Sequence, residues 1–314
     1  MIVGAGSIGL MYASRLARAG ISVSLVTRSA GQASALNKYG ITLEEQGKKS
    51  QHPIPAFVMG SLDVLTDEPT GFWWPNDHDW IWLTVKQTHL DSNLISQLSS
   101  LTAQGASLLC LQNGIGHMEK LGAALPNTPL YAAISTEGAL RMDDTTVIHT
   151  GQGRLTVGAW PKSLNTGEQM QKMLLESLDL AGIDAELSNE MVNRLYDKLL
   201  INAVINPLTA IYGVKNGDLP QDPVRLKLMM AVHAESEAIL TAAGWHSPVD
   251  SWERLLSVCK QTARNESSML RDVKAGRLTE ADWINGGIAA LAKRLHIPAP
   301  LNDAMTVLIK SLII

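Results

Sequence analysis

The sequence has little cysteine and no excess of positive charge. Of its 314 residues only two are cysteines, Cys110 and Cys259, and neither belongs to a CxxC motif or a cluster with histidine. We therefore expect no metal site, no disulfide framework and a reducing compartment. With 26 basic against 30 acidic residues, the net charge of −4 gives no sign of binding to nucleic acid or to an anionic membrane.

Long hydrophobic runs are missing too. No apolar stretch reaches the roughly 18 residues that a membrane span needs, and the N-terminus lacks the basic and apolar segments of a signal peptide. By elimination we expect a cytoplasmic protein without a membrane partner. Hydrophobic residues nevertheless make up 46% of the 314 residues. Because one hydrophobic core seldom serves a chain of 314 residues, the length predicts two domains.

The first half of the chain alternates between strand and helix patterns. Near-continuous apolar runs at 80–85 and 107–111 are typical of strands that helices cover on both faces. The alternation predicts an N-terminal α/β domain over residues 1–188, with a doubly wound, Rossmann-like sheet. Its other strand patterns lie at 2–3, 21–26, 131–135 and 155–158.

The second half has helical periodicity only. Glycine and proline separate its segments at Gly244, Pro248, Gly276 and Pro298, where helix ends are expected. We therefore predict an all-helical C-terminal domain over residues 189–314. Its helix patterns lie at 191–205, 224–243, 251–264, 283–295 and 301–312.

A glycine loop opens the first domain. Gly4, Gly6 and Gly9 match G-x-G-x-x-G, with a strand before them and a helix after them. The first glycine permits the tight turn, the second permits close approach of a pyrophosphate, and the third permits helix–strand packing. Ser7 and Ile8 begin the helix, whose free amides and dipole favour phosphate. The loop predicts a dinucleotide site, against the alternative of a glycine-rich turn without a ligand.

The end of the second predicted strand lacks a carboxylate. Enzymes that use NAD usually place Asp or Glu there to bind the ribose 2′-hydroxyl, but this chain has Thr27, Arg28 and Ser29. A guanidinium matches a 2′-phosphate bidentately, so Arg28 predicts NADP(H) as the cofactor. The alternative is a solvated surface arginine.

Two polar side chains follow the strong strands. Lys86 comes after the run at 80–85 and Asn113 after the run at 107–111. Ligands of open α/β sheets lie outside the carboxyl ends of the strands, so both residues are candidates for cofactor binding. The alternatives are a loop lysine and a turn asparagine.

Polar residues also interrupt an apolar helix in the second half. Lys198, Asn202 and Asn206 are four residues apart and share one helix face. Burying them is costly without polar partners, and a ligand is one such partner. Asn206 could instead cap a helix that starts at Pro207, and Asn202 could satisfy a buried backbone group.

Two segments, 198–219 and 266–286, closely resemble the ketopantoate reductase family, and the glycine loop, 85–86 and 112–114 fall where that family has cofactor motifs. The resemblance implies NADPH-dependent reduction of 2-dehydropantoate to pantoate, a step toward pantothenate and coenzyme A. It also implies a C-terminal domain like that of 6-phosphogluconate dehydrogenase.

The resemblance further implies roles for single residues. Lys198 would be the general acid, and Glu280 would hydrogen-bond at the reacting centre, beside cofactor and substrate. Asn113 would lie near nicotinamide and substrate. The alternatives are a helix-start acid for Glu280 and a capping hydroxyl for Ser268. The remaining substrate-binding matches are Asn202, Asn206, Asn216 and Ser268.

Other functions stay open at this point. One is reduction of another branched 2-oxo acid, and another is non-catalytic sensing of NADPH. We expect a small-molecule 2-oxo acid as the partner, bound in a cleft between the domains, and a monomer or a homodimer.

Overall fold

The computed structural model describes residues 1–60, 74–161, 167–246 and 248–313. The chain divides into two compact units, which are described separately below. The first unit contains residues 1–112 and 118–191, and the second contains 113–117 and 192–314. The domain limits 1–188 and 189–314 stay a prediction.

Strands of the first unit form two sheets. The strands are β1 (Ile2–Val3), β2 (Leu25–Thr27), β3 (Ile41–Glu45), β4 (Lys48–His52), β5 (Ala56–Val58), β6 (Trp80–Leu83), β7 (Ser107–Cys110), β8 (Leu130–Ser135), β9 (Gly138–Arg141), β10 (Thr146–Gly151), β11 (Leu155–Ala159) and β12 (Ala185–Leu187). The larger sheet has the order β5-β2-β1-β6-β7-β8-β11-β12, and the smaller has the order β4-β3-β10-β9.

The larger sheet is doubly wound. Its strands from β5 to β8 pair in parallel, and only β11 runs antiparallel to its neighbour β8. The chain leaves β1 in one direction toward β2 and returns on the other side at β6, so β1 lies at a topological switch point. Ligands of such sheets bind outside the carboxyl ends of the strands at this point. The predicted fold class of this unit is confirmed.

Two details of the first unit differ from the sequence-based expectation. The second strand begins at Leu25 rather than at residue 21. The smaller sheet was not predicted at all. Its strand β4 has the sequence KKSQH and is mostly exposed, so it lacks the apolar run that marks a buried strand.

Helices flank the larger sheet and form the second unit. Those of the first unit are α1 (Ser7–Arg18), α2 (Ala30–Tyr39), α3 (Ser92–Thr102), α4 (His117–Ala124), whose first residue belongs to the second unit, and α5 (Glu168–Leu180). Those that follow are α6 (Met191–Tyr212), α7 (Pro223–Ala242), α8 (Ser251–Gln261), α9 (Ser268–Lys274), α10 (Asn285–Arg294) and α11 (Pro300–Ser311).

The core of the first unit extends into the smaller sheet. Leu10 and Tyr12 of α1 and Ile41 of β3 belong to one buried apolar cluster. A buried charge cluster lies beside it. The guanidinium of Arg15 donates to Glu137 at 2.8 Å and also pairs with Glu45 of β3. His149 of β10 lies 2.6 Å from the other oxygen of Glu137. These contacts attach the smaller sheet to α1.

Helix α6 is central to the second unit. Its residues Leu199 and Ala203 pack into one apolar cluster, and Val204 and Leu208 pack into another. Within the described part of residues 192–313 all regular elements are helical. None of the helices described, in either unit, has the length and hydropathy of a membrane span.

Candidate functional site

The glycine loop follows β1 and starts α1. Gly4 has φ +115°, and a Cβ there would lie 2.8 Å from Thr84 Oγ1. A Cβ on Gly9 would lie 1.9 Å from the carbonyl oxygen of Gly4, so neither position accepts a side chain. A Cβ on Gly6 would have no other atom within 4 Å. Two glycines therefore hold the turn, and the third leaves an open surface at the helix N-terminus, where a pyrophosphate fits.

Ser7 begins α1, and its hydroxyl accepts a hydrogen bond from the backbone of Arg141 at 3.0 Å. Ile8 follows it on the helix and packs on the apolar core of the first unit. Gly6, at the N-cap, makes no side-chain cap. The first amides of α1 are therefore left without a capping side chain, which suits an anionic ligand.

Cationic side chains lie beyond the neighbouring strands. Arg28 follows β2 and is exposed, and Lys86 follows β6. The residues around Arg28 have structural roles, because Thr27 donates to the Ser29 carbonyl at 2.9 Å and Ser29 caps α2. Arg28 Nη1 lies 3.5 Å from Nε2 of His89, a residue to which the sequence analysis gave no role.

Helix α6 continues through Pro207, so the alternative in which Asn206 caps a new helix is wrong. Proline has no N–H, which leaves the Ala203 carbonyl without its helical donor. Asn285, fully buried, supplies that donor from Nδ2 at 2.9 Å, and it also donates to Asn302. Sequence reasoning missed Asn285, although it lies in the segment 266–286.

The side-chain amides of Asn202 and Asn206 have no hydrogen-bond partner among the residues that the structure describes. Asn202 is half-buried and Asn206 is 6% exposed. The alternative in which Asn202 satisfies a buried backbone group is therefore wrong. Neither amide is a fully buried unsatisfied group, and both are available to a polar ligand on this face of α6.

Lys198 lies one turn before Asn202 on the same face. Burial lowers the pKa of its ammonium from the ordinary value near 10.5 to about 8, against the charge of Glu280, which raises it. A lysine with such a pKa holds a proton near neutral pH and can give it up, as a general acid must. The structure thus places Lys198 and Glu280 within electrostatic reach of each other.

Glu280 is buried in the turn that precedes α10. Helix α10 begins at Asn285, so the helix-start alternative for Glu280 is wrong. Asn113 Nδ2 donates to Glu280 Oε2 at 3.2 Å. The loop around Asn113 is held there, because Ile115 N donates to the Trp283 carbonyl at 3.0 Å. Lys198, Glu280 and Asn113 therefore form one polar cluster.

Two serines begin α9, and they differ in role. Ser267 is the N-cap, because its hydroxyl accepts from Leu270 N at 3.0 Å and from Thr209 Oγ1 at 2.7 Å. The capping alternative for Ser268 is therefore wrong. Ser268 is the first residue of the helix and is half-buried. Its hydroxyl makes no hydrogen bond with any residue described in the structure, which leaves it able to bind a ligand.

Asn216 is held by hydrogen bonds to the residues that precede α9. Its backbone N–H donates to the Asn265 carbonyl at 3.0 Å, and its Nδ2 donates to Thr262 Oγ1 at 2.9 Å. Its buried Oδ1 has no hydrogen-bond partner among the residues that the structure describes. Segment 262–268 thus contacts Asn216 at one end and Thr209 of α6 at the other. No group of three or more metal-binding side chains lies within the described ranges.

Comparison with known families accounts for nearly all of the chain. The model described as Ketopantoate reductase PanE/ApbA matches residues 1–162, and the model of the C-terminal part of the same family matches residues 190–312. The 2-dehydropantoate 2-reductase of Bacillus subtilis is 35% identical over 91% of this chain and 87% of its own length. The 2-dehydropantoate 2-reductase of Pyrococcus horikoshii is 31% identical over 99% of this chain and 96% of its own length.

Solved structures have the same fold. A probable 2-dehydropantoate 2-reductase from Bacillus subtilis superimposes with a TM-score of 0.79 and 32% identity, over 99% of this chain and 100% of that one. A D-mandelate dehydrogenase solved with NADH and anilino(oxo)acetate has a TM-score of 0.84 at 23% identity, covering 99% and 98%. The second likeness supports the fold alone.

Proposed function

Because the chain belongs to the ketopantoate reductase family and is therefore an oxidoreductase, we propose that it uses NADPH to reduce 2-dehydropantoate to pantoate. The polar cluster of Lys198, Glu280 and Asn113 carries this proposal. A buried ammonium with a pKa of about 8 beside a carboxylate is the group that ketone reduction needs and that cofactor sensing does not.

The chemistry divides between cofactor and protein. When bound, the reduced nicotinamide supplies a hydride to the ketone carbon. Negative charge then grows on the ketone oxygen, and the ammonium of Lys198 stabilises that charge and donates its proton to the oxygen. Glu280 favours the charged form of Lys198, and it accepts a hydrogen bond from Asn113 at 3.2 Å that fixes the amide near the reacting centre.

The substrate offers a carboxylate, a ketone and a hydroxyl group. The amides of Asn202 and Asn206 and the hydroxyl of Ser268 supply donors and acceptors for these groups. Asn216 adds one buried acceptor, its Oδ1. The side chains of Asn202, Asn206 and Ser268 make no hydrogen bond with a described residue, so the substrate can bind them without breaking a hydrogen bond within the protein.

The cofactor assignment rests on the first unit. The glycine loop provides an open backbone surface at Gly6 for the pyrophosphate. Arg28 provides a guanidinium for the 2′-phosphate, and no carboxylate at the end of β2 opposes it. Lys86 lies beyond β6, where a ribose or phosphate contact is expected.

The direct test is oxidation of NADPH by the purified protein with 2-dehydropantoate, compared with NADH. We expect turnover with NADPH and much slower turnover with NADH. Faster turnover with another branched 2-oxo acid in a substrate panel would replace the substrate of this proposal. Cofactor binding without turnover of any 2-oxo acid would support a sensor.

Replacing Arg28 with alanine should lower the preference for NADPH. The loss of a charge-assisted, bidentate contact predicts a fall of roughly 10- to 100-fold in kcat/KM with NADPH and little change with NADH. The measurement is the ratio of kcat/KM for the two cofactors. An unchanged ratio would show that Arg28 is a solvated surface residue.

Replacing Ser268 with alanine should raise KM for the 2-oxo acid by roughly 10-fold and change kcat little, since a hydroxyl contact to bound substrate is lost. Ser267→Ala is the matched control. It removes a helix cap and should lower the melting temperature through a loss of about 1 kcal/mol. A kcat defect in Ser268→Ala without a change in KM would contradict the binding role.

A place in pantothenate and coenzyme A synthesis follows from the proposed reaction. A cytoplasmic location, the state of monomer or homodimer and the catalytic cleft between domains stay predictions.

A further inference from the structure

Two basic side chains meet beyond β2 and β6. Arg28 is the residue after β2, and His89 ends the short 3-10 turn Gln87–His89 that follows β6. Arg28 Nη1 and His89 Nε2 are 3.5 Å apart, and both residues are exposed. Strand β1 and its glycine loop lie between the two strands in the sheet order. The pair therefore flanks the loop on the side where a ribose 2′-substituent is expected.

Partial burial and the neighbouring charges set the protonation of His89. Partial burial of the imidazole lowers its pKa below the ordinary value near 6.5, and Arg28 and Lys86 lower it further, while Asp91 raises it. Near neutral pH the ring is therefore neutral, with Nε2 able to accept from the guanidinium. A protonated ring at the same place would repel Arg28.

We propose that His89 is a second ligand of the cofactor's 2′-phosphate and takes up a proton from solvent when that phosphate binds beside Arg28. The inference rests on the proposed use of NADPH. A phosphate dianion has three terminal oxygens, of which an arginine fork binds two. The third oxygen is left for an imidazolium N–H, and the dianion converts the repulsion between the two cations into attraction of both.

Proton uptake couples cofactor affinity to pH. If binding raises the pKa of His89, affinity for NADP+ increases as pH falls through that pKa, by linkage. NAD+ lacks the phosphate and should show no such coupling. The preference for the phosphorylated cofactor is then larger in acid than in base.

The test is isothermal titration of NADP+ and NAD+ into the full-length protein between about pH 8 and about pH 6, in buffers with different ionisation heats. The variants are His89→Gln, His89→Lys and, as a matched control, His78→Gln, which changes an exposed histidine elsewhere in the same unit. Because the phosphate itself titrates near pH ~6, the readout is the difference between wild type and variant.

We expect His89→Gln to weaken NADP+ binding about three- to tenfold at the lower pH and less at the higher pH, with loss of the wild-type proton uptake. NAD+ binding should be unchanged. His89→Lys should keep tight NADP+ binding at both pH values without proton uptake, and His78→Gln should behave as wild type.

Two results overturn the inference alone: proton uptake that persists in His89→Gln, or equal weakening of both cofactors, which indicates a structural role. The proposed use of NADPH is tested separately, by cofactor titrations of wild type and of Arg28→Ala. If wild type binds NAD+ as tightly as NADP+ and Arg28→Ala changes neither, both proposals fail.

Discussion

Lys198→Ala should lower kcat for reduction of 2-dehydropantoate by roughly 10²-fold or more and leave the Kd for NADPH nearly unchanged. The reason is that the ammonium acts on the ketone oxygen only as charge develops there, in the transition state. Lys198 and Glu280 both belong to the second unit, whereas the glycine loop belongs to the first. The measurements are steady-state kinetics and direct titration of the cofactor.

Two further variants test whether Lys198 acts by donating a proton or only by its positive charge. Lys198→Arg keeps a cation but holds its proton too tightly to donate it, so kcat should stay well below that of wild type. Lys260→Ala removes an exposed lysine of α8 and should leave both constants unchanged. Near-normal turnover in Lys198→Ala would remove Lys198 from the mechanism.

The lowered pKa of Lys198 predicts a pH profile with a definite sign. Reduction needs the protonated amine, so its rate should fall as pH rises through about 8. Oxidation of pantoate needs the neutral amine, so its rate should rise over the same interval. The profile should lose this step in Lys198→Arg, and a step that persists there would assign the titration to another group.

Helical spacing predicted one part of the candidate site, the shared face of Lys198, Asn202 and Asn206. Residues four apart on α6 had to share a face, and the structure leaves two of them, Asn202 and Asn206, without partners among the described residues. The sequence could not indicate that α6 continues through Pro207, or which group donates to the Ala203 carbonyl that proline leaves without a helical donor. The rescuing donor, Asn285, lies 82 residues from the carbonyl it satisfies. Such long-range hydrogen bonds leave no local pattern.

The same limit applies to the fold. Apolar runs predicted the central strands β6 and β7, since both are buried on two faces. The smaller sheet has no such runs, and β4 is largely polar. Its stability depends on partners distant in sequence, such as Glu137 and His149, which meet Arg15 of α1 only after folding. His89 escaped notice for the same reason, as its meeting with Arg28 spans 61 positions.

The buried charge cluster of the first unit predicts a large stability effect. Arg15→Met should destabilise this unit by roughly 3–5 kcal/mol, because it leaves the carboxylate of Glu137, 2% exposed, without its guanidinium partner. Arg18→Met is the matched control. Arg18 binds the same Glu45 at 3.0 Å, but its side chain is 41% exposed, so its loss should cost at most about 1 kcal/mol. Chemical denaturation and hydrogen exchange of α1 and the smaller sheet measure both.

The difference in free energy of unfolding between wild type and Arg15→Met should become smaller at acidic pH. Burial alone would raise the pKa of Glu45, but hydrogen bonds and charge from Arg15 and Arg18 bring it below its ordinary value near 4.5. A carboxyl with a lowered folded-state pKa contributes stability above its ordinary pKa and loses it as pH falls through the folded value.

Because the penalty in Arg15→Met is an unpaired buried charge, adding Glu137→Gln should recover part of the lost stability. Equal losses in Arg15→Met and Arg18→Met would show instead that the cluster contributes no more than surface ion pairs do.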